Sequence, residues 1–325
     1  MDDHSQPAGS RVAAAAAADA VTLRQLAGHA DYHACFELQL VTWGRHFAEG
    51  VPPSVLKISQ RVGGIAAGAF AADGRLLGFV FGLTGVRPPG SRRPAVPAVR
   101  AASERPPGGH APGRPELLHW SHMLAVAPEA RDLGLGTRLK LYQRELLLPL
   151  GVEAVEWTFD PLEARNAHLN LNRLGADVVE YVEEMYQGEM GSELARGIGT
   201  DRFVVSWRIA GERVRTALER QGLAGGAGAD AGVAPGPPAG FAAAPGIEPA
   251  PPSGGEPPLP EAPRVRIEVP ARIQEFKDAE PERALAWRLG TRRAFQEYMA
   301  RGYLVTAFWR DAAGRCWYGL EAAGR

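Results

Sequence analysis

Val126-Ala127-Pro128-Glu129-Ala130-Arg131-Asp132-Leu133-Gly134-Leu135-Gly136-Thr137 is the stretch of this chain best suited to chemistry. It joins an apolar, strand-like run to a helix-like one. Its two glycines let successive backbone N–H groups converge with no Cβ in the way. Amides gathered at a helix N-terminus, where the macrodipole adds positive potential, suit an anion, most simply a pyrophosphate. The spacing differs from the two common phosphate loops: no third glycine completes Gly-x-Gly-x-x-Gly, and no Gly-Lys-Ser/Thr follows. A glycine pair also serves simply to end a strand or to let a helix pack closely. Arg131 has two readings as well, a partner for loop carbonyls or a second contact to the phosphates.

Just upstream runs His119-Trp120-Ser121-His122-Met123-Leu124-Ala125-Val126. On a regular strand His122 shares a face with Leu124 and Val126, and His119 takes the opposite one. Either imidazole is a satisfied core or surface residue or a proton acceptor, since a pKa of about 6.5 suits acid–base work. Downstream, residues 157–167 form a second polar cluster after a strand, at the edge where α/β sheets place their ligands. Asp160 can cap the following helix, with Pro161 at its first position and Glu163 three residues on, or it can face a substrate. Arg165 and Asn166 have less structural need to be there, and either could hold a cofactor or an acceptor carboxylate. Glu180, Glu183, Glu184 and Glu189, interleaved with Tyr181, Met185, Tyr186 and Met190, form a solvated face or a mouth for an amine.

The elements that must position these residues follow from hydrophobic period. A helix is expected over 31–47, started by Asp31, and a hairpin over 64–70 and 75–83 around Asp73-Gly74. A long strand is expected over 116–126, then a helix over 134–148 stopped by Pro149, a strand over 153–159 and a helix over 163–174. Strands over 176–183 and 202–209 complete this body. The order predicts an α/β fold with a mixed sheet flanked by helices. Residues 1–20 read as a disordered tail, 86–115 as a disordered Pro/Gly loop, and 221–263 as a Pro/Gly/Ala-rich linker. A small C-terminal α/β unit at 264–325 carries a strand at 264–269, a helix from Pro281 to about 301, and a hairpin of 304–309 with 316–320. About sixty residues fold alone only marginally, so this βαββ unit is expected to dock on the body or on a partner subunit, as in a homodimer.

Composition narrows the classes. Of 325 residues, 36 are Lys or Arg and 37 are Asp or Glu, so no global field draws nucleic acid or an anionic membrane. Two cysteines, Cys35 and Cys316, exclude a disulfide scaffold and a cysteine-rich zinc site, leaving one bridge open. No metal site is expected. No apolar run approaches a membrane span, and the acidic start followed by alanines makes a poor signal peptide, so the cytoplasm is the expected compartment.

Val-x-Pro-x-x-Arg-x-x-Gly-x-Gly at Val126, Pro128, Arg131, Gly134 and Gly136, together with the element order, resembles the acyl-CoA-binding motif of the GNAT acyltransferase superfamily. The likeness covers about residues 21–210 and leaves the C-terminal unit outside. It implies a central splayed sheet and an acyl-CoA cosubstrate. The backbone of Arg131, Asp132, Leu133, Gly134, Leu135, Gly136 and Thr137 would hold the pyrophosphate, and the pantetheine arm would lie between two splayed strands. Leu124, Ala125 and Val126 would face the thioester, their N–H groups polarising its carbonyl. His122 sits where the arylalkylamine branch places a histidine for proton removal. Asn166 would contact CoA, while Asp160 and Arg165 would face an acceptor.

Trp157–Asn166, Gly188–Met190 and Asp201-Arg202 resemble a less characterised subgroup, in which succinyl-CoA is a donor alongside acetyl-CoA and amino acids are acceptors. One departure stands out: the residue that protonates the departing CoA thiolate in the family is often a tyrosine, and here that position is Leu171, leaving Asn170 or Asn172 as hydrogen-bond donors, a water, or unaided departure of the thiolate. The resemblance therefore implies an N-acyltransferase acting on a small-molecule amine. The alternative is a non-catalytic acyl-CoA sensor or assembly module.

Overall fold

A computed structural model describes residues 21–87, 116–131, 133–186, 197–220, 222, 236–248 and 258–323. The expected tail 1–20, nearly all of the loop 86–115, Asp132, and the Gly188–Met190 motif lie outside the described residues.

The strands are β1 (Thr22–Gln25), β2 (Ile65–Phe70), β3 (Leu76–Arg87), β4 (Glu116–Val126), β5 (Ala154–Phe159), β6 (Asp177–Val182) and β7 (Arg202–Arg208). They form one sheet in the order β1-β2-β3-β4-β5-β7-β6, antiparallel throughout except for the parallel pair β4–β5. This is the expected mixed sheet. Helices α1 (Gly28–Trp43) and α2 (Pro53–Arg61) precede β2; α3 (Leu135–Leu147) joins β4 to β5. α4 begins as Ala164–Ala167 and widens into a π turn over His168–Arg173, and α5 is Glu212–Glu219. Asn170 accepts from the Trp157 indole and Asn172 donates to the Phe308 carbonyl, tying both sides of the widened turn.

Two features of β4 decide the site. Its ladder to β5 covers only Leu118–Trp120 opposite Ala154–Glu156, although both strands continue, so the two diverge from Ser121 and Trp157 onward. At the same point Ser121 and His122 together oppose the single Gly82 of β3, a β-bulge. Bulges sharpen the local twist, and that twist is what lets the strands part. Gly82 makes the close approach feasible: a Cβ there would lie 2.2 Å from His119 Nε2 and 2.6 Å from the Trp120 carbonyl oxygen. Gly82→Ala is expected to destabilise the fold by roughly 1–3 kcal/mol through overpacking, readable by urea denaturation.

The expected helix over 31–47 is shifted. It starts at Gly28 and ends where Gly44 takes φ 103. Asp31 is not its first cap but reaches back from the first turn to the Ala27 N–H (2.7 Å) and pairs with Arg24. α2 was not expected from the sequence; Val55 and Ile58, with Val62 just past its end, are spaced at the helical period but face solvent, while Leu56 and Ser59 are buried. Cys35 and Cys316 are both buried and free.

The C-terminal unit is a second sheet, ordered β10-β11-β9-β8, with α6 (Ile273–Ala279) and α7 (Pro281–Ala300). Its strands are β8 (Gly246–Ile247), β9 (Arg264–Val269), β10 (Tyr303–Arg310) and β11 (Cys316–Ala322). Part of the segment expected as a linker belongs to it. Phe241 is buried against Trp309 (ring centroids 5.4 Å), and Ile247 pairs with Ile267. Two large apolar residues in a run of Gly, Ala and Pro vanish in a compositional average, yet suffice to anchor an edge.

The unit docks on the body of its own chain. Phe295 packs edge-on against Phe203 at 4.7 Å, and the Tyr318 hydroxyl donates to the Pro161 carbonyl (2.9 Å). Arg288, 1% exposed, donates to the Ile198 carbonyl (2.9 Å) and to Asp160 Oδ2 (2.5 Å).

Candidate functional site

The glycine turn stands at the open end of the cleft between β4 and β5. Gly134 takes φ 68, a left-handed conformation that strains any side chain, and forms the N-cap of α3 with no side-chain cap. Among the described residues no side chain caps the first-turn amides of α3, which suits them to a ligand. A Cβ on Gly136 would meet only Leu124 Cδ2, at 3.7 Å, so the space above this turn is open. Arg131 is exposed at the end of the short 3-10 turn Pro128–Ala130 and donates its N–H to Pro128 (3.3 Å). Leu133 packs partly buried against the core, and Thr137 is buried.

The bulge corrects one expectation about faces. His122 does not share the face of Leu124 and Val126. Phe81, which pairs with Met123, meets the His122 ring edge-on at 6.1 Å, on the side of α1, whose Trp43 packs on Phe79. Leu124 lies beside Gly136 of α3, and His119 and Ser121 bond to that helix. An extra residue in a strand inverts the alternation beyond it, so the two ends of β4 obey opposite parities.

His122 is half-buried. Burial holds its imidazole below the ordinary histidine value, against an opposing pull from Glu49 in the loop after α1. It is thus neutral at pH 7 and able to accept a proton. Glu49 was not legible as a partner, since it lies in an exposed loop distant in sequence.

His119 has the other fate. Its ring sits between Thr84 Oγ1 (2.9 Å from Nδ1) and Gln143 Nε2 (3.0 Å from Nε2). Thr84 spends its hydroxyl proton on the Gly63 carbonyl, so Nδ1 carries the imidazole proton. Burial, then the nearby Lys140, push its pKa down to about 3, so it is a neutral core residue.

The second polar cluster turns away from the cleft. Asp160 was expected to cap a helix or face an acceptor. Its Oδ1 accepts the Leu162 N–H (2.8 Å), its Oδ2 accepts from Arg288, and Arg202 stands 3.7 Å away. Glu163, expected in a capping box, accepts from Gln274 (2.6 Å). The C-terminal unit takes up both carboxylates because they lie at the edge it covers. Arg165 and Asn166 remain exposed on the first turn of α4, beside the end of β5. The acidic segment is likewise matched by this unit: Arg292 pairs with Glu183, Glu184 and Asp201. Thr158 and Tyr186 meet at 3.0 Å past the end of the β4–β5 ladder.

No group of three or more metal-ligating side chains occurs among the described residues. No helix among them is long and apolar enough to cross a membrane. Cys35, its thiol pushed up to about 12 by burial, offers no thiolate.

No family model matches the chain, and no curated protein matches it. Among solved structures it is similar to the ribosomal-protein-S18-alanine N-acetyltransferase from Escherichia coli: 16% identity and TM-score 0.38, over 59% of this chain and 97% of that one. Arabidopsis thaliana NAA60 in complex with acetyl-CoA gives 13% identity and TM-score 0.42, over 58% and 99%. Ard1 from Thermoplasma volcanium gives 13% and 0.37, over 57% and 96%.

Proposed function

We propose that this chain is an acyl-CoA-dependent N-acyltransferase of the GNAT type, acting on a small-molecule amine such as an amino acid. The observation that carries the reading is an alignment. An uncapped helix N-terminus stands at the open end of a cleft between two parallel strands, and a neutral histidine stands on one side of that cleft. The pyrophosphate of an acyl-CoA suits the Gly134–Thr137 amides. Its pantetheine arm fits the gap, where from Ser121 to Val126 the β5-facing backbone of β4 has no ladder partner. Those free groups suit the arm's amides, and an N–H at Leu124–Val126 suits the thioester carbonyl as charge builds on its oxygen.

The amine attacks from the α1 side. His122 takes its proton, directly or through one water, as the C–N bond forms. Arg165 and Asn166, exposed on the first turn of α4, are of a type that suits a carboxylate, which supports an amino-acid acceptor. The acyl group is acetyl, with succinyl as the carboxylate-bearing alternative. A second reading, a non-catalytic acyl-CoA sensor, has one observation in its favour: Leu171 is buried and apolar where the family's tyrosine stands.

His122→Ala separates the two. Turnover is expected to fall by about 10²–10⁴-fold with acetyl-CoA affinity unchanged. The wild-type rate is expected to fall as pH drops through the lowered His122 pKa, below the ordinary 6.5. Steady-state kinetics across a panel of amines, with calorimetry for binding, check both. Acetyl-CoA binding without turnover on any amine would favour the sensor.

A further inference from the structure

Lys140 is the most anomalous charged residue in the body. It lies on α3, 3% exposed, with no carboxylate in reach among the described residues. Its Nζ donates to Ser121 Oγ (2.7 Å) and lies 3.7 Å from the centre of the Trp157 ring. Ser121 donates in turn to Gln143 Oε1 (3.0 Å). The titratable group facing it from β4 is His119, which is neutral; α3 adds Gln143 and β5 adds Trp157. A lysine buried without a counter-ion is costly, and replacing it by an apolar side chain is usually neutral or stabilising. Its position gives it something to do.

Ser121 and Trp157 are the first residues past the last β4–β5 pair, so the Lys140 amine stands at the closed end of the cleft. On the reading above, the arm enters at the glycine turn and its sulfur points toward that end. His122 lies on the α1 side of β4, and Lys140 lies on the α3 side. The acid that the resemblance places on α4 is absent, since Leu171 occupies the position.

We propose that Lys140, acting through the Ser121 hydroxyl, receives the CoA thiolate as it departs. The inference rests on the acyltransferase reading and supplies its missing acid. As the C–N bond forms, the C–S bond breaks and its electron pair goes to sulfur. The Ser121 hydroxyl turns from Gln143 Oε1 to sulfur and gives up its proton there, and a proton from the Lys140 ammonium replaces it on Oγ. The amine's proton leaves on the His122 side. Lys140, now neutral, regains a proton from water once CoA has gone. Burial holds the ammonium well below the ordinary lysine range, which makes it a stronger acid than an exposed lysine. Ser121 is the group that touches sulfur; Lys140 is a positioning and proton-supplying residue behind it.

The test needs no acceptor. CoA is bound to the full chain and its thiol titrated by far-ultraviolet thiolate absorption, with desulfo-CoA as blank. The bound thiol is expected to titrate at least about one pH unit lower on the wild type than on Lys140→Met, the shift a nearby cation produces. CoA affinity is expected to agree within about threefold between the two. Identical titration in both proteins would overturn the proposal and leave the acyltransferase reading standing. Failure of the wild type to bind CoA would overturn both. If Lys140→Met loses its cooperative melt, Ser121→Ala carries the test: an upward shift of the thiol supports the relay, and no shift overturns it.

Discussion

Gly136→Asp is expected to abolish CoA binding while leaving the fold as stable as before or slightly more so. The two effects have opposite signs for one reason. Gly136 is the second residue of α3, and a side chain there meets open space, with only Leu124 Cδ2 at 3.7 Å. A carboxylate in the first turn of a helix is favoured by the macrodipole, by about 0.3–1 kcal/mol. The same carboxylate occupies and repels the position of the pyrophosphate. A loss of at least about 100-fold in affinity, near 2.7 kcal/mol, is expected by calorimetry. A thermal melt of the apo protein checks the other half. Retained affinity would remove the phosphate from this turn. Gly134→Pro is a weaker test, because Gly134 takes φ 68 and proline cannot, so lost binding there mixes with lost structure.

Arg288→Met is expected to cost about 3–5 kcal/mol of stability and to loosen the C-terminal unit from the body. Arg288 is 1% exposed and bonded to Asp160 Oδ2 and the Ile198 carbonyl. Removing it leaves Asp160, at the edge of the body, with the Leu162 N–H on Oδ1 and the more distant Arg202 as its remaining cation among the described residues. Most of the cost comes from that stranded carboxylate, so Asp160→Asn combined with Arg288→Met is expected to be milder than the single change. Chemical denaturation of both variants, with limited proteolysis to report undocking, distinguishes a buried ion-pair effect from lost packing. The second contact has its own pH signature. Burial pushes the Asp201 carboxyl up, but hydrogen bonds from Arg292 and Tyr181 outweigh it and hold its pKa below the ordinary 3.8. That stabilisation is fully present above the unfolded value and is lost only as pH falls through the lowered folded one.

The local signals were accurate where the physics is local. The strand at 116–126, the glycine turn and the helix after it come from alternation, from backbone freedom at glycine and from the stop at Pro149. Each acts within a few residues. The bulge that sends His122 to the α1 side is a relation between β4 and Gly82, so no inspection of 116–126 alone would show it. Lys140 did leave a trace. It follows Gly136 by four residues and precedes Gln143 by three, on the inward stripe of α3, but an isolated lysine on such a stripe is usually read as a long side chain reaching for water.

The sequence by itself thus determined the mixed α/β order, the glycine turn between β4 and α3, and the strands and long helix of the C-terminal segment. Only the tertiary structure decided which charged residues serve the cleft and which serve the junction. Asp160 and Arg288 are 128 positions apart, and Glu184 and Arg292 are 108 apart. The physical reason is that a carboxylate's role is set by the cation that reaches it. That cation arrives through packing of two sheets, which composition and periodicity do not encode.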